Sequence, residues 1–451
     1  MKQRVKIIST AVLVVCVLML CGCSVFNVFS VDSLIKAPRL TGDNAEIQKA
    51  FESAVGTDIS LVRPVAGDYR SAYVLHDYDG DGVDEAIVFY TPKSTAGEVR
   101  MHFLKYGEAD EKWVSVADVK GNGSDVHSIT FCNFDRDSVA EIAVAWAFAD
   151  GQKDKMLTVY HYEVNDVTGE KDFVSLASVR ISDFNFIDVD FDGAEELLYT
   201  IIDAAAEKPT AVLKSLKYDV ATERFVPLSE VLLDNRIVSF LGYAHDLKAG
   251  NFRFYVDSQL ADGRYITEIV YFDYSHSAFV RPVDENGIPL GEKTVRQPSV
   301  RAEDINGDGF VDVPRAELYE KSEVVSPAEG EDGRVFAVEY YELEGGNKLV
   351  SIGTYYSCAD LGIRIKLDKY RSSAFLRYDK STDSIMFYSY PDEGKNNSKL
   401  LFTVSIENTE THSAVLGGSE RKSSVSVSVS QTGRDIGIVG DDVANDIIFI
   451  N

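Results

Sequence analysis

The sequence is poor in cysteine, histidine and basic side chains, and each shortage excludes a class of protein. Its 451 residues include five cysteines, which are too few for a scaffold built on disulfides. The seven histidines are scattered, with no pair at the spacing of metal ligands. Lysine and arginine total 45 against 72 aspartates and glutamates, so the net charge is −27. Such an acidic chain does not bind nucleic acid or anionic headgroups unaided, but it attracts cations.

The first 22 residues have the organisation of an export signal. Lys2, Arg4 and Lys6 form a basic start, and residues 7–20 form an apolar stretch. That stretch is too short to span a bilayer comfortably, since a membrane helix needs roughly 20 apolar residues. The sequence therefore predicts a signal peptide over residues 1–22 rather than a membrane helix.

A cysteine motif follows the apolar stretch. The order Leu20-Cys21-Gly22-Cys23 resembles the bacterial lipobox, which implies cleavage after Gly22 and acylation of Cys23. Two or three acyl chains on one residue anchor a protein stably. Residues 23–40 then form a tether, and the body is expected outside the cytoplasm, at the cell surface or in the periplasm. Of the cysteines beyond the motif, the sequence leaves open whether Cys132 and Cys358 pair.

Four acidic segments share one pattern. Each has an oxygen-bearing side chain at loop positions 1, 3, 5 and 9, and three of the four have glycine at position 6, where a sharp turn needs a residue without Cβ. Calcium takes about 6–8 oxygens at roughly 2.3–2.6 Å, which this spacing can supply. The predicted calcium ligands are Asp77, Asp79, Asp81 and Glu85; Asn133, Asp135, Asp137 and Glu141; Asp188, Asp190, Asp192 and Glu196; and Asp304, Asn306, Asp308 and Asp312.

An EF-hand begins in the same way, but it needs a glutamate at position 12 and flanking helices. Position 12 holds Val88, Val144, Tyr199 and Arg315 in the four loops, and strand-like runs follow the first three. The EF-hand is therefore excluded. The first and third loops have four carboxylates each, so we expect them to bind calcium more tightly than the second and fourth, which have three and an amide.

The loops recur with a period of about 56 residues. Their starts are 56, 55 and 116 residues apart, which predicts a repeat without ligands near residue 244. A tyrosine landmark recurs every 56 residues, at Tyr106, Tyr162, Tyr218 and Tyr274. Three or four short strands in each such unit are typical of propeller blades. The loops are similar to the FG-GAP and VCBS repeats of integrin α-subunit propellers and bacterial surface proteins, over roughly residues 60–345. This resemblance implies the calcium loop and the blade.

The whole pattern predicts an all-β chain, namely a β-propeller-like array of four-stranded repeats with a short N-terminal helix. The helix is expected over residues 42–56, in a capping and packing role. We predict the helix and repeats within residues 41–345, with an insertion near 322–333. Residues 346–451 are expected to form a separate β-rich or α+β domain, and the alternative is that further blades close a seven-unit ring.

The sequence leaves two functional classes open. No H-E-x-x-H, G-x-S-x-G, Walker or dinucleotide-binding motif occurs. We therefore predict a non-catalytic binding or adhesion module at the cell surface, stabilised by calcium, with a glycan, cell-wall or protein ligand. The alternative is an extracellular polysaccharide lyase or hydrolase on a propeller scaffold, since some carboxylates could serve as acid and base.

Overall fold

The computed structural model describes residues 43–450 apart from short internal stretches. These stretches are residues 108–110, 138, 150–152, 165–170, 204–209, 249–250, 329–332, 392–396 and 413–418. The predicted signal peptide, Cys23 and the tether lie outside the described residues. Among the helices that are described, none is long and apolar enough to cross a membrane.

Four small antiparallel sheets follow one another along the first two thirds of the chain. The first contains β1 (Ile59–Leu61), β2 (Tyr73–His76), β3 (Glu85–Pro92), β4 (Arg100–Gly107) and β5 (Lys112–Lys120). The second contains β6 (Asp125–Cys132), β7 (Glu141–Ala147), β8 (Lys155–Val164) and β9 (Lys171–Ile181). The third contains β10 (Asp183–Ile187), β11 (Glu196–Asp203), β12 (Thr210–Asp219) and β13 (Arg224–Leu232). The fourth contains β14 (Ile237–Lys248), β15 (Asn251–Leu260), β16 (Tyr265–Asp273) and β17 (Ala278–Val280).

Within the second, third and fourth sheets the strands pair in chain order, and in the first sheet β1 and β2 share one edge of β3. This arrangement confirms the predicted fold class, a propeller-like array of four-stranded repeats. The fourth sheet is the predicted repeat without ligands. Its strands β14 and β15 pair as far as Lys248 and Asn251, so two residues separate them and leave no room for an acidic loop.

The sheets stack face to face because alternate side chains of each inner strand point to opposite neighbours. Val88 of β3 packs towards the N-terminal helix, whereas Phe89 packs on the second sheet. In β7, Val144 packs on the first sheet and Ala145 on the third. These strands are buried on both faces, so they have continuous apolar runs rather than alternating ones.

The N-terminal helix α1 (Asp43–Val55) covers the outer face of the first sheet. Ile47 and Phe51 are fully buried there, and Phe51 makes an edge contact with Tyr90. The predicted packing role is confirmed. Among the described residues, no hydrophobic cluster joins the first sheet to the last.

The last part of the chain forms one nine-stranded sheet. Its strands are β18 (Val313–Val325), β19 (Arg334–Glu344), β20 (Lys348–Cys358), β21 (Ile363–Lys366), β22 (Ala374–Asp379), β23 (Ser384–Ser389), β24 (Leu400–His412), β25 (Ser419–Val429) and β26 (Ile447–Phe449). The helices α2 (Gln431–Asp435) and α3 (Gly440–Asn445) precede β26, and short 3-10 helices lie at Lys93–Thr95 and Leu290–Thr294.

The predicted boundary at residues 345 and 346 lies in the turn between β19 and β20, which pair with each other. The fifth unit, which follows the fourth loop and consists of β18 to β21, therefore continues to Lys366. The predicted insertion lengthens β18, whose end at 323–325 pairs in parallel with β22. Through this parallel pairing, β22 to β25 continue the sheet of the fifth unit. Cys132 and Cys358 are separate, buried thiols.

Candidate functional site: a row of acidic loops

The four acidic loops lie at equivalent places in the array. The first three connect β2 to β3, β6 to β7 and β10 to β11, and the fourth leads into β18. Neighbouring loops touch, since the amide of Ala140 donates to the carbonyl of Tyr78 at 3.1 Å. The backbone N–H of Asn133 likewise donates to Oε2 of Glu195 at 3.1 Å. The first three loops therefore form a row along one edge of the array.

The aspartate at position 1 shapes each of three loops. Both oxygens of Asp77 accept backbone N–H groups, Oδ1 from Gly80 and Oδ2 from Gly82, each at 2.8 Å. Asp188 accepts from the amide of Gly193 at 3.0 Å, and Asp304 accepts from Gly309 at 2.8 Å. These turns favour aspartate even without a metal, so position 1 alone does not identify a cation site.

The loops also share a backbone conformation that the sequence pattern revealed only in part. Position 6 has φ of 88° at Gly82, 91° at Gly193 and 84° at Gly309. Position 4 is left-handed as well, and here two of the loops have side chains, Arg136 at 68° and Phe191 at 58°. A non-glycine residue in this region is uncommon, so the shared loop geometry, rather than local preference, imposes it.

The acid at position 9 is the most buried acid of every loop. Glu85, Glu141, Glu196 and Asp312 are at most 1% exposed. One oxygen of each accepts the backbone N–H of position 2, at 3.1, 3.0, 2.9 and 3.0 Å in the four loops. Burial raises the pKa of Glu85, of Glu196 and of Asp312 to about 7 in each case. The second oxygen of each acid is the one that distinguishes the loops.

In each of the first three loops a basic side chain approaches the second oxygen of the position-9 acid. This base lies on β4, β8 or β12, the strand that pairs with the one after the loop. Lys105 Nζ lies 3.6 Å from Glu85 Oε1, and Lys217 Nζ lies 3.3 Å from Glu196 Oε1. His161 Nδ1 lies 3.1 Å from Glu141 Oε1. We did not predict these bases. They immediately precede the tyrosine landmarks, so the same 56-residue period could have revealed them.

The two lysines contact the loop carboxylates more closely. Lys105 donates to Asp79 Oδ2 and, at 2.7 Å, to Asp81 Oδ2. Burial alone would lower the pKa of Lys105, but these hydrogen bonds raise it above its ordinary value. Each lysine thus lies among positions 3, 5 and 9 of its loop.

The second loop is less complete. Asp135, Glu141 and His161 bring one ligand atom each within 4.8 Å of the others. Asp137 instead accepts the backbone N–H of Val139 at 2.7 Å. Asn133 uses its amide oxygen to accept from Arg136, also at 2.7 Å.

The fourth loop has no such base in its described surroundings. The pairing of Val313 with Tyr341 places Glu342 opposite Asp312, and burial followed by neighbouring negative charges, including that of Glu342, raises the pKa of Asp312. Asp312 Oδ1 is buried without a hydrogen-bond partner.

The first and third loops each bring three carboxylates together. Among the described residues, Asp77, Asp79 and Glu85 lie within 4.8 Å through one oxygen each, as do Asp188, Asp190 and Glu196. In the fourth loop position 3 is Asn306, so the corresponding positions 1, 3 and 9 have two carboxylates and an amide. Asn306 bonds Asp308, donating from Nδ2 to Oδ2 at 2.9 Å.

The fourth sheet supports the fourth loop. Asp246 lies near the end of β14, where the first three sheets have an acidic loop. Its exposure is 1%. Its Oδ1 accepts the backbone N–H of Val311 at 2.6 Å, and its Oδ2 accepts from the hydroxyl of Tyr255 at 2.9 Å. The repeat without ligands therefore fixes the loop that follows it.

A polar cleft of about 540 Å³ opens between the fourth and fifth units. It is lined by residues 284–286, Lys293, Arg315, Tyr341 and residues 347–349, among others. Both charges, amides and an aromatic ring are present, which suits a hydroxylated or charged ligand better than an apolar one.

The comparisons with known proteins are distant. No protein-family model matches the sequence, and no curated protein matches it. The chain is similar to the structure of Sqt1 from Saccharomyces cerevisiae, with 11% identity, a TM-score of 0.28, and coverage of 76% of this chain and 78% of that one. It is similar to the periplasmic gluconolactonase PpgL of Pseudomonas aeruginosa, with 11% identity, a TM-score of 0.28, and coverage of 77% and 99%. The Dos1 propeller matches at 10% identity and a TM-score of 0.28, over 70% and 78%. Likenesses this remote carry no functional argument.

Proposed function

We propose that the chain is an extracytoplasmic lipoprotein, anchored to the bacterial membrane through Cys23, whose array is a non-catalytic binding module with calcium-dependent stability. The observation that carries the calcium proposal is the buried Oδ1 of Asp312. Like Glu85 Oε1 and Glu196 Oε1 it accepts no hydrogen bond, but unlike them it has no lysine beside it in the described part of the chain. An unpaired, buried carboxylate oxygen is costly. A divalent cation held by Asp304, Asn306, Asp308 and Asp312 would remove that cost.

Calcium suits these ligands better than magnesium does. The donors are carboxylate and amide oxygens on a short loop, and calcium accepts such oxygens in a flexible shell, whereas magnesium demands near-octahedral geometry. A ligand that binds the folded state alone stabilises it by roughly 2.7 kcal/mol at a hundredfold excess over Kd. The expected consequence is a calcium-dependent melting temperature.

The test uses the full-length protein in detergent, first freed of metal. We expect calcium to raise its melting temperature more than magnesium does, and Asp308→Asn to remove most of that rise. Asp262→Asn is the matched control, since Asp262 pairs with Arg264 outside the loops. A melting temperature that does not respond to calcium would contradict the proposal.

The ligand is proposed to be a glycan, cell-wall material or a protein segment that binds in the 540 Å³ cleft. Support comes from its lining, where Tyr341 can stack on a sugar ring and Asn286 can hydrogen-bond to hydroxyls. Screening the protein on glycan and cell-wall arrays, with and without calcium, identifies the class. Tyr341→Ala and Asn286→Ala should each weaken a true ligand about tenfold, which corresponds to about 1.4 kcal/mol. Lys120→Ala, in a different cleft, should not.

A further inference from the structure

We infer that the ammonium groups of Lys105 and Lys217 occupy the cation positions of the first and third loops, so that these two loops are held together without calcium. The inference rests on the proposed calcium role of the array, because it removes that role from the first and third loops. It reverses the expectation that the loops with four carboxylates bind calcium most tightly.

The two lysines make the same contacts in two different sheets. Lys217 donates to Asp190 Oδ2 at 2.5 Å and to Asp192 Oδ2 at 2.8 Å, and lies 3.3 Å from Glu196 Oε1. Lys105 contacts Asp79, Asp81 and Glu85, the corresponding positions of the first loop. A surface lysine that met one acid by chance would not recur at positions 3, 5 and 9 of two loops.

These contacts use the oxygens that a calcium ion would need. Calcium binds its oxygens at about 2.3–2.6 Å, so an ion bound to positions 3, 5 and 9 would lie where Nζ now lies. The lysine would have to leave three carboxylates and find other partners. Its side chain is only 22% exposed at Lys105 and 27% at Lys217, so the surrounding sheet favours its present position.

Strand pairing explains how one side chain can replace an ion. Ala86 pairs with Leu104, and Leu197 pairs with Leu216. The next positions along the two strands are Glu85 opposite Lys105 and Glu196 opposite Lys217. A lysine on the neighbouring strand is therefore aimed into the loop by the same backbone hydrogen bonds that form the sheet.

The fourth loop provides the contrast. The same register places Glu342, not a base, opposite Asp312. Asp312 Oδ1 is buried without a hydrogen-bond partner. The matching oxygens Glu85 Oε1 and Glu196 Oε1 also accept no hydrogen bond, but each has a lysine Nζ within 3.6 Å. Calcium is therefore assigned to the loop over residues 304–312, with Glu342 as an additional carboxylate near the ion.

The test counts calcium ions bound per full-length chain in detergent, by equilibrium dialysis of metal-free protein. We expect the double variant Lys105→Met, Lys217→Met to bind two more ions than the wild type, and its melting temperature to rise with calcium more steeply. Lys214→Met is the matched control, since Lys214 lies on the same strand as Lys217 and pairs with Glu230. A double variant that folds only in calcium also supports the inference.

A second pair of substitutions tests the wild-type loops directly. Asp79→Asn with Asp190→Asn should leave the number of bound ions unchanged, because these loops are expected to hold none. Loss of two ions in that variant, or no gain in the methionine variant, would overturn the inference. The proposed function is judged separately by whether the wild type loses its calcium response on Asp308→Asn, so the two failures are distinguishable.

Discussion

The imidazole Nδ1 of His161 lies 3.1 Å from Oε1 of Glu141, in the position that a lysine takes in the first and third loops. The second loop therefore has a cation that can be titrated, whereas its neighbours have one that stays charged. The hydrogen bond to Glu141 is the main reason that the pKa of His161 is raised, against the opposing effect of burial.

We predict that His161→Gln removes a pH-dependent part of the stability. Because the pKa of His161 is raised in the folded state, protonation of His161 stabilises the fold. This stabilisation is fully present below the unfolded-state pKa of about 6.5, and it is lost as the pH rises through the folded-state pKa. The variant should be less stable than the wild type by about 1 kcal/mol in acid and nearly equal at alkaline pH. Urea unfolding across that range measures the difference.

The pH dependence of wild-type stability must be compared with that of His161→Gln, because other groups titrate in the same pH range. Glu85, Glu196 and Asp312 have pKa values raised to about 7. Ionising them disfavours the fold, so both proteins lose stability as pH rises from about 4.5 to 7. This loss cancels in the difference. If the difference is the same in acid and alkali, His161 does not supply a charge to the loop.

The N-terminal helix is predicted to be part of the folded unit. Phe51 is fully buried between the helix and the first sheet, so Phe51→Ala should lower the free energy of unfolding by about 3–5 kcal/mol. Lys49→Ala, on the exposed side of the same helix, should change it by less than about 0.5 kcal/mol. Equal effects of the two substitutions in denaturant unfolding would show that the helix does not cover the sheet.

The dependence of the fourth loop on the fourth sheet gives another prediction. Asp246→Ala would leave the amide of Val311 and the hydroxyl of Tyr255 without their acceptor, at a cost of about 1–3 kcal/mol for each group. We expect lower stability, faster hydrogen exchange at the Val311 amide, and weaker calcium binding. Tyr255→Phe removes one of the two bonds and should leave the loop intact. Unchanged hydrogen exchange at the Val311 amide in Asp246→Ala would show that Asp246 does not support the fourth loop.

Sequence periodicity predicted much of the fold because the repeated features are local. The spacing of Asp77, Asn133 and Asp188 places one loop in each of the first three units, and each unit needs only short turns to form. The glycine at position 6 marks the turn that the structure shows at Gly82 and Gly193. These features depend on neighbouring residues, so one sequence suffices to find them.

The features that were missed depend on pairing between strands. Lys105 meets Glu85 from 20 residues away, and the acidic pattern of the loop contains no sign of it. The sequence predicts that the repeats end at residue 345, because the period stops there. The lengthened β18 and its parallel partner β22 are contacts between distant segments, and local patterns do not specify them.

The membrane anchor is predicted from sequence alone. Cys23→Ala should leave the precursor without lipid, either uncleaved or released from the membrane fraction. Metabolic labelling with a fatty acid, followed by fractionation, measures both outcomes. Cys21→Ala is the control, since Cys21 lies in the segment that cleavage removes. Absence of label in the wild type, with both variants fractionating like it, would contradict the lipoprotein assignment.

A lysine at position 342 should hold the fourth loop together as Lys105 and Lys217 hold the first and third. Glu342→Lys should place an ammonium opposite Asp312, as Lys105 and Lys217 lie opposite Glu85 and Glu196. The variant should be more stable than the wild type without calcium, and the calcium-dependent rise in melting temperature should be largely lost. The lost stabilisation should be roughly 2.7 kcal/mol if calcium is a hundredfold above its Kd.

The matched control is Glu344→Lys, which makes the same change of charge two residues along the same strand, where Glu344 pairs with Lys348 in solvent. A general effect of reducing the negative charge would appear in both variants. An effect of filling the loop would appear in Glu342→Lys alone, because that position is opposite the unpaired oxygen of Asp312. A full calcium response retained in Glu342→Lys, in protein whose wild type does respond, would show that a cross-strand lysine cannot take the place of the ion.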